Sequence, residues 1–327
     1  MVLSFFSPSG YEAKKESSIA DIVVYLPVDS KSNCKRFLDL INPEIVVFVK
    51  SEIWPNYLNE IQKRKIKSLL ICAMYSTSQM KYSILKKAVL KFDYIFTQDE
   101  KSKDLFKSIG HNNVINSGDT RFDRVSLSKN LNEDVDYIKE FLSEKDCLIA
   151  GSSWGYDHKM IVNYINTSNS ELKYIIAPHE IHREEIETLK SSINKKTVLF
   201  SELNNENIKT ASVIIVDNIG TLSKLYKYAT LAYIGGGFNG EGKLHNTLEA
   251  AVFGLPIIIG KYYSKFPEAI SMIKVGGMFS VNNAESLKNK IDELIRDKEK
   301  LQKTGALNSS FIKKKIGATQ SILTNLK

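Results

Sequence analysis

The chain has 327 residues, 43% of them hydrophobic, with seven prolines and a formal net charge of +8. These proportions exclude a disordered chain, and the length suits two domains better than one core. Cys34, Cys72 and Cys147 are odd in number, widely spaced and without a CxxC pair, which excludes a disulfide scaffold and fits a reduced setting. No apolar run approaches the length of a spanning helix, and the first residues carry no signal-peptide pattern. The positive charge lies on Lys-rich stretches such as 81–91 and 288–303. It serves either as solvated helix faces or as attraction for an acidic substrate or anionic leaflet, and charge alone does not separate the two.

Short apolar runs alternate with helical patterns from the start. The spacing predicts strands at 2–6, 22–25, 45–49, 68–72, 94–97 and 114–116. A polar, acidic stretch at 131–137 follows. A second series comes at 147–150, 174–177, 197–200, 213–216, 231–234 and 257–259, with amphipathic helices between, among them 58–64 and 157–165. Such alternation predicts an α/β protein with parallel sheets covered on both faces. Two series joined near 125–145 predict two Rossmann-like lobes with a cleft between them, at 1–130 and 131–327.

Sites favour the carboxyl ends of such strands. In the second series these ends carry Gly151-Ser152-Ser153 before a helix opened near Asp157, and Pro178-His179 before a helix bearing His182 and Arg183. They also carry Asp217-Asn218-Ile219-Gly220-Thr221 and a glycine turn. In the first series, Lys50-Ser51-Glu52-Ile53-Trp54-Pro55 follows a strand. Glu52 either binds an acceptor or caps the Pro-started helix. His158, His179 and His182 have no cysteine at ligand spacing, so structural or donor-contact roles are expected of them and no metal.

The glycine turn lies within the stretch from Leu231 to Gly260. Gly235, Gly236, Gly237, Gly240 and Gly242 place five glycines in eight positions before a helix expected from about Asn246 to Gly254. Glycines let backbone amides close on an anion, and a helix N-terminus favours negative charge. Asn246 and Glu249 lie three apart, suited to a phosphate and a sugar diol. The same pair fits a capping box, but a cap does not call for five glycines. Gly235-x-Gly237-x-x-Gly240 matches the dinucleotide fingerprint only formally, because the helix does not open on the third glycine.

These residues carry a resemblance. Ser51-Glu52-Ile53-Trp54-Pro55-Asn56, Gly118-Asp119-Thr120-Arg121-Phe122-Asp123, Ala150-Gly151-Ser152-Ser153-Trp154 and Asp217-Asn218-Ile219-Gly220 with Leu222 occur in that order. Gly235-Gly236-Gly237-Phe238, His245-Asn246-Thr247-Leu248-Glu249 and Phe253-Gly254-Leu255-Pro256 follow. Together they resemble the bacterial 3-deoxy-D-manno-octulosonic acid (Kdo) transferases of lipopolysaccharide assembly, which have the two-lobed GT-B glycosyltransferase fold. The resemblance implies inverting transfer of Kdo from CMP-Kdo to the lipid A precursor lipid IVA, with no cofactor and no metal. It implies a cytoplasmic, peripheral place on the anionic inner face of the inner membrane, and no nucleic-acid partner.

The resemblance gives the C-terminal lobe to the donor. Its candidate residues are Ser152, Ser153, Pro178, His179, Arg183, Ile219, Gly220, Leu222, Gly236, Gly237, Asn246 and Glu249, with Glu52 facing the acceptor. Two departures stand against the family pattern. Its members begin with a hydrophobic anchor, a strand and a Gly-Glu turn whose Glu is the base, whereas Met1-Val2-Leu3 resembles the next strand. The N-terminal lobe is thus expected to be incomplete, with a gap in its sheet. Glu52 is then the one placed candidate base, and the chain is expected to bind CMP without transferring Kdo. The turn Ala73-Met74-Tyr75-Ser76 lacks an expected arginine, and Lys81 is the nearest cation. The alternatives are a GT-B glycosyltransferase or epimerase using a UDP-sugar, and a truncated nucleotide-binding protein without catalysis.

Overall fold

The computed structural model describes residues 1–130 and 134–326. Within the acidic stretch predicted at 131–137, residues 131–133 lie outside the described residues. The chain divides into two compact units, one of Met1–Thr120 with Gly317–Lys327 and one of Arg121–Ile316. The sequence placed the division ten residues later and gave the C-terminus wholly to the second lobe. Among the described residues no helix is long and apolar enough to cross a membrane.

In the first unit, β1 (Val2–Phe5) and β2 (Ile22–Tyr25) form a two-stranded parallel sheet among the described residues. A separate parallel sheet has β3 (Ile45–Val49), β4 (Lys67–Ala73), β5 (Tyr94–Thr97) and β6 (Val114–Asn116) in that order. One face of this sheet packs Phe48, Leu70, Ile95 and Val114 under the helices Lys31–Ile41, Pro55–Lys63, Ser83–Val89 and Glu100–Ser108. On the other face Leu69 and Phe96 meet Ile322 of the C-terminal helix Ala318–Thr324. That contact ties the end of the chain to the first unit. Ile45, Val47 and Val49 of the edge strand β3 remain exposed.

The second unit is built on β7 (Cys147–Ser153), β8 (Lys173–Pro178), β9 (Thr197–Leu199), β10 (Val213–Ile215), β11 (Leu231–Ile234), β12 (Ile257–Ile259) and β13 (Met278–Ser280). All pairs are parallel, in the order β13-β12-β11-β7-β8-β10-β9. Side chains alternate between faces with period two. Ile149, Ile175, Ile214, Ala232 and Ile257 enter one core, while Leu148, Tyr174, Val213, Leu231 and Ile258 enter the other. Both faces are buried, so these strands are apolar at nearly every position. Buried Asn308 of helix Lys298–Lys313 donates through Nδ2 to the carbonyls of Leu255 and Gly277, each at 2.7 Å, fixing that helix to the loops before β12 and β13.

Candidate functional site at the carboxyl edge of the second sheet

Strand order settles which loops are neighbours. β11, β7, β8 and β10 are consecutive and parallel, so their carboxyl ends lie side by side. These ends carry the glycine turn, Gly151-Ser152-Ser153-Trp154, Pro178-His179 and Asp217–Gly220. The amide of Gly235 donates to the Gly151 carbonyl at 2.9 Å, and that of His179 to the Ser153 carbonyl at 2.9 Å. The β11, β7 and β8 ends are thereby tied together.

Asp157, fully buried in helix Gly155–Thr167, organises the junction. Its carboxylate accepts from the Trp154 and Gly236 amides, both at 2.9 Å, and from the Tyr233 hydroxyl at 2.5 Å. Three donors offset the cost of burying one carboxylate. Burial and the Asp157 charge raise the pKa of Tyr233 well above that of an ordinary phenol. At Gly236 φ is +88°, and an added Cβ would lie 2.0 Å from the Lys243 carbonyl oxygen, so only glycine fits there. His245 closes the loop with its amide on the Gly235 carbonyl at 3.2 Å.

An aromatic stack stands over this junction. The His179 ring lies 4.5 Å from the Trp154 indole and 4.2 Å from the His245 imidazole. Trp154 Nε1 donates to His245 Nε2 at 2.7 Å. Burial, then His179 and Lys243, push the His245 pKa down to about 4. Burial also lowers the pKa of His158, which meets Ser153 Oγ at 3.0 Å.

Beyond the loop, exposed Asn246 donates from Nδ2 to Glu249 Oε1 at 2.9 Å. Its Oδ1 accepts from the Leu248 amide at 3.2 Å. Glu249 is half-buried, and its charge adds to the burial that raises the pKa of Tyr226. Tyr226 in turn stands against Gly151, where an added Cβ would lie 2.0 Å from the phenol oxygen. The predicted pair thus lies together near the β7 end.

Several expectations need correction. The helix predicted from Asn246 to Gly254 is one turn, Leu248–Ala251, and its cap position is Thr247. No capping box forms, because Glu249 bonds the Asn246 side chain and not its backbone. The Gly235 and Gly236 amides are not free for an anion, since Gly151 and Asp157 take them. Those glycines allow backbone to pack on backbone. Arg183 is exposed at the start of helix Arg183–Ser192, with Pro178 at the end of β8. Ile219 is 87% exposed and Gly220 has open space around it, while Leu222 packs against the core. Asp217 accepts from the amide and hydroxyl of Ser201, a structural role.

Sequence reasoning left out Trp154, Tyr233 and His245 as site residues, and took Asp157 only as a helix opener. The available signal was a tryptophan after Gly151-Ser152-Ser153 and a histidine before Asn246. A groove of about 860 Å³ lies between helices Gly155–Thr167 and Arg183–Ser192. Its lining includes Glu180, Glu184 and Glu185, which makes it a poor seat for a phosphate.

In the first unit, exposed Glu52 accepts from Trp54 Nε1 at 2.8 Å. The capping alternative for Glu52 is not realised. Asp29 fills that position, accepting from the Asn56 and Tyr57 amides at 3.2 and 3.0 Å.

Residues 1–124 match the family described as 3-deoxy-D-manno-octulosonic-acid transferase (kdotransferase), and residues 169–308 match glycosyl transferases group 1. The chain is 29% identical to a 3-deoxy-D-manno-octulosonic acid transferase of Aquifex aeolicus, over 92% of this chain and 80% of that protein. It is 26% identical to the Haemophilus influenzae protein of the same name, over 98% and 78%. A bifunctional glycosyltransferase/methyltransferase of Fusobacterium nucleatum is 28% identical over 91% of this chain, which spans 48% of that relative. In fold the chain is similar to the UDP-GlcNAc 2-epimerase of Neisseria meningitidis, with TM-score 0.61 and 16% identity over 94% of this chain and 85% of that one. It is also similar to Acinetobacter baumannii MurG, with TM-score 0.58 and 10% identity over 98% and 88%.

Proposed function

We propose that this chain, which belongs to the Kdo transferase family, transfers Kdo from CMP-Kdo to the lipid A precursor lipid IVA. In that reaction an acceptor hydroxyl attacks the anomeric carbon while a base takes its proton. The bond from that carbon to CMP breaks, CMP leaves with the electron pair, and the configuration inverts. The donor is assigned to the carboxyl edge of the second sheet. Glu249 accepts from the ribose diol, Arg183 neutralises phosphate charge, and Ser152, Ser153, Pro178, His179, Ile219, Gly220, Leu222 and Gly237 complete the surround. Glu52 is assigned as the acceptor-side base, and the enzyme is placed at the inner face of the inner membrane.

The observation that carries the donor assignment is the half-buried Glu249 carboxylate, held by Asn246 at 2.9 Å. A fixed carboxylate can accept two hydroxyl donors without rearranging. Titration calorimetry with CMP and with UDP tests the reading. CMP binding more tightly than UDP supports it. UDP binding more tightly overturns it in favour of a UDP-sugar enzyme.

A further inference from the structure

The loops after β3 and β4 bring two side chains into one neighbourhood. β3 and β4 are parallel neighbours with Val49 opposite Ile71, and the Lys50 amide donates to the Ile71 carbonyl at 2.8 Å. The chain therefore leaves the sheet at adjacent points. Glu52 comes shortly after β3 ends at Val49, and Tyr75 shortly after β4 ends at Ala73. Ile53 and Trp54, next to Glu52, pack against the apolar cluster that contains Tyr75, Leu58 and Phe106.

Tyr75 carries an oxygen that its surroundings do not use. The residue is 9% exposed, and its hydroxyl has no hydrogen-bond partner among the described residues. The rest of it is held, with the ring edge-on to Phe106 at 5.4 Å and the amide donating to Ser102 Oγ at 3.2 Å. A buried hydroxyl without a partner costs stability, and phenylalanine would fill the same space without that cost. Burial, then the charge of Glu52, raise the phenol's pKa well above that of an ordinary tyrosine. The oxygen thus keeps its proton and is available as a donor. Glu52 offers a matching acceptor. Its exposed carboxylate accepts from Trp54 Nε1 through Oε2. A carboxylate has about four lone-pair sites, so it can hold two donors and still take a proton.

We propose that Tyr75 is a positioning residue for Glu52, its hydroxyl donating to Oε1, the carboxylate oxygen that Trp54 does not hold. Glu52 reaches the phenol by turning about its own side-chain torsions. Two donors, one on each oxygen, then fix the plane of the carboxylate against the acceptor hydroxyl. The inference rests on the proposed reading of Glu52 as the base and adds the residue that aligns it.

The test begins with NMR of the full chain carrying carbon-13 at tyrosine Cζ, the ring carbon bonded to oxygen. Tyr75→Phe identifies the signal by removing it. That signal should shift when Glu52→Gln removes the carboxylate, and it should step with pH in the carboxylate range only while Glu52 is present. A Tyr75 signal indifferent to Glu52→Gln would overturn the proposal. This measurement uses neither donor nor turnover, so it decides the pairing whether or not Glu52 is the base. Transfer kinetics then decide its purpose. Tyr75→Phe should lower kcat by about ten- to hundredfold and leave CMP affinity within about twofold. In the Glu52→Gln background it should cost no more than about twofold further, since the group it aligns is gone. An equal loss in both backgrounds would overturn the proposal and leave Tyr75 a packing residue. A signal that depends on Glu52, beside full transfer by Glu52→Gln, would reject Glu52 as the base and leave the pair standing. Circular dichroism should show both variants folded, because each replacement keeps the size of the side chain.

Discussion

Trp154 donates its indole N–H to Nε2 of His245 at 2.7 Å. A nitrogen that accepts carries no proton, so this bond assigns His245 as the neutral tautomer with its proton on Nδ1. The two residues are 91 positions apart, one at the end of β7 and one closing the glycine loop after β11. The bond therefore sets both the seat of the loop and the hydrogen-bonding character of a ring beside Asn246.

Trp154→Phe keeps an aromatic surface against His179 and removes only the donor. We expect a loss of about 1 kcal/mol in stability. Nitrogen NMR should show His245 with mixed tautomers once no indole N–H is donated to Nε2. An unchanged tautomer in the variant would mean that packing, and not the indole, fixes the ring.

Histidine burial sets a pH dependence. His245 and His158 both have folded pKa values below the ordinary 6.5, mainly through burial. Below 6.5 the unfolded chain binds protons that these folded rings refuse, so stability falls as the pH falls. The His245 contribution is complete above 6.5 and declines progressively down to about 4. Its slope stays below about 1.4 kcal/mol per pH unit, since one ring takes up at most one proton. Urea midpoints at about pH 7.5 and about pH 5 should show a larger drop for the natural chain than for His245→Asn. Equal drops would show that His245 does not titrate differently on unfolding.

The strands were legible because parallel strands buried on both faces form short apolar runs, as in Val213–Ile215 and Ile257–Ile259. Met278–Ser280 escaped notice because only the first of its three residues is fully buried and the strand ends in serine. The helix Ala318–Thr324 has no local mark of its partner, and only the fold places Ile322 on Leu69 and Phe96. The glycines were legible as a tight turn, while their amides were misassigned. Whether Gly236 faces a ligand or Asp157 depends on a carboxylate 79 residues away. The Trp154–His245 bond was out of reach for the same reason.

Asp157 is the residue on which this junction most depends. Asp157→Asn keeps the size but turns one acceptor atom into a donor facing the Trp154 and Gly236 amides or the Tyr233 hydroxyl. A buried donor left opposite a donor costs about 1–3 kcal/mol, and more where a charge is lost. The urea midpoint should fall accordingly, and hydrogen exchange at Gly236 should quicken. Protection unchanged at Gly236 would show that the loop is held elsewhere.

Asn246→Ala and Glu249→Ala should weaken CMP binding more than folding. A charge-assisted bond from Glu249 to a ribose diol is worth about 1.5–3 kcal/mol, roughly a ten- to hundredfold loss of affinity. Neither residue caps a long helix, since Leu248–Ala251 is one turn, so stability should change by no more than about 1 kcal/mol. Calorimetry showing full CMP affinity in both variants would remove them from the site.

Glu52 bears on the chemistry itself. Its carboxylate is exposed and accepts from Trp54 Nε1, a bond that orients one oxygen while the other can take a proton. General-base catalysis contributes about 10²–10⁴-fold, so Glu52→Gln should lower kcat by that range in an assay with CMP-Kdo and lipid IVA. CMP affinity should stay unchanged, because Glu52 is assigned to the acceptor. Trp54→Phe frees the oriented oxygen and should lower kcat by less, since it removes alignment and leaves the base in place. Transfer by Glu52→Gln at the rate of the natural chain would show that the base is another residue. Binding of CMP with no transfer by the natural chain would show that residues 1–327 hold the donor site without a working base.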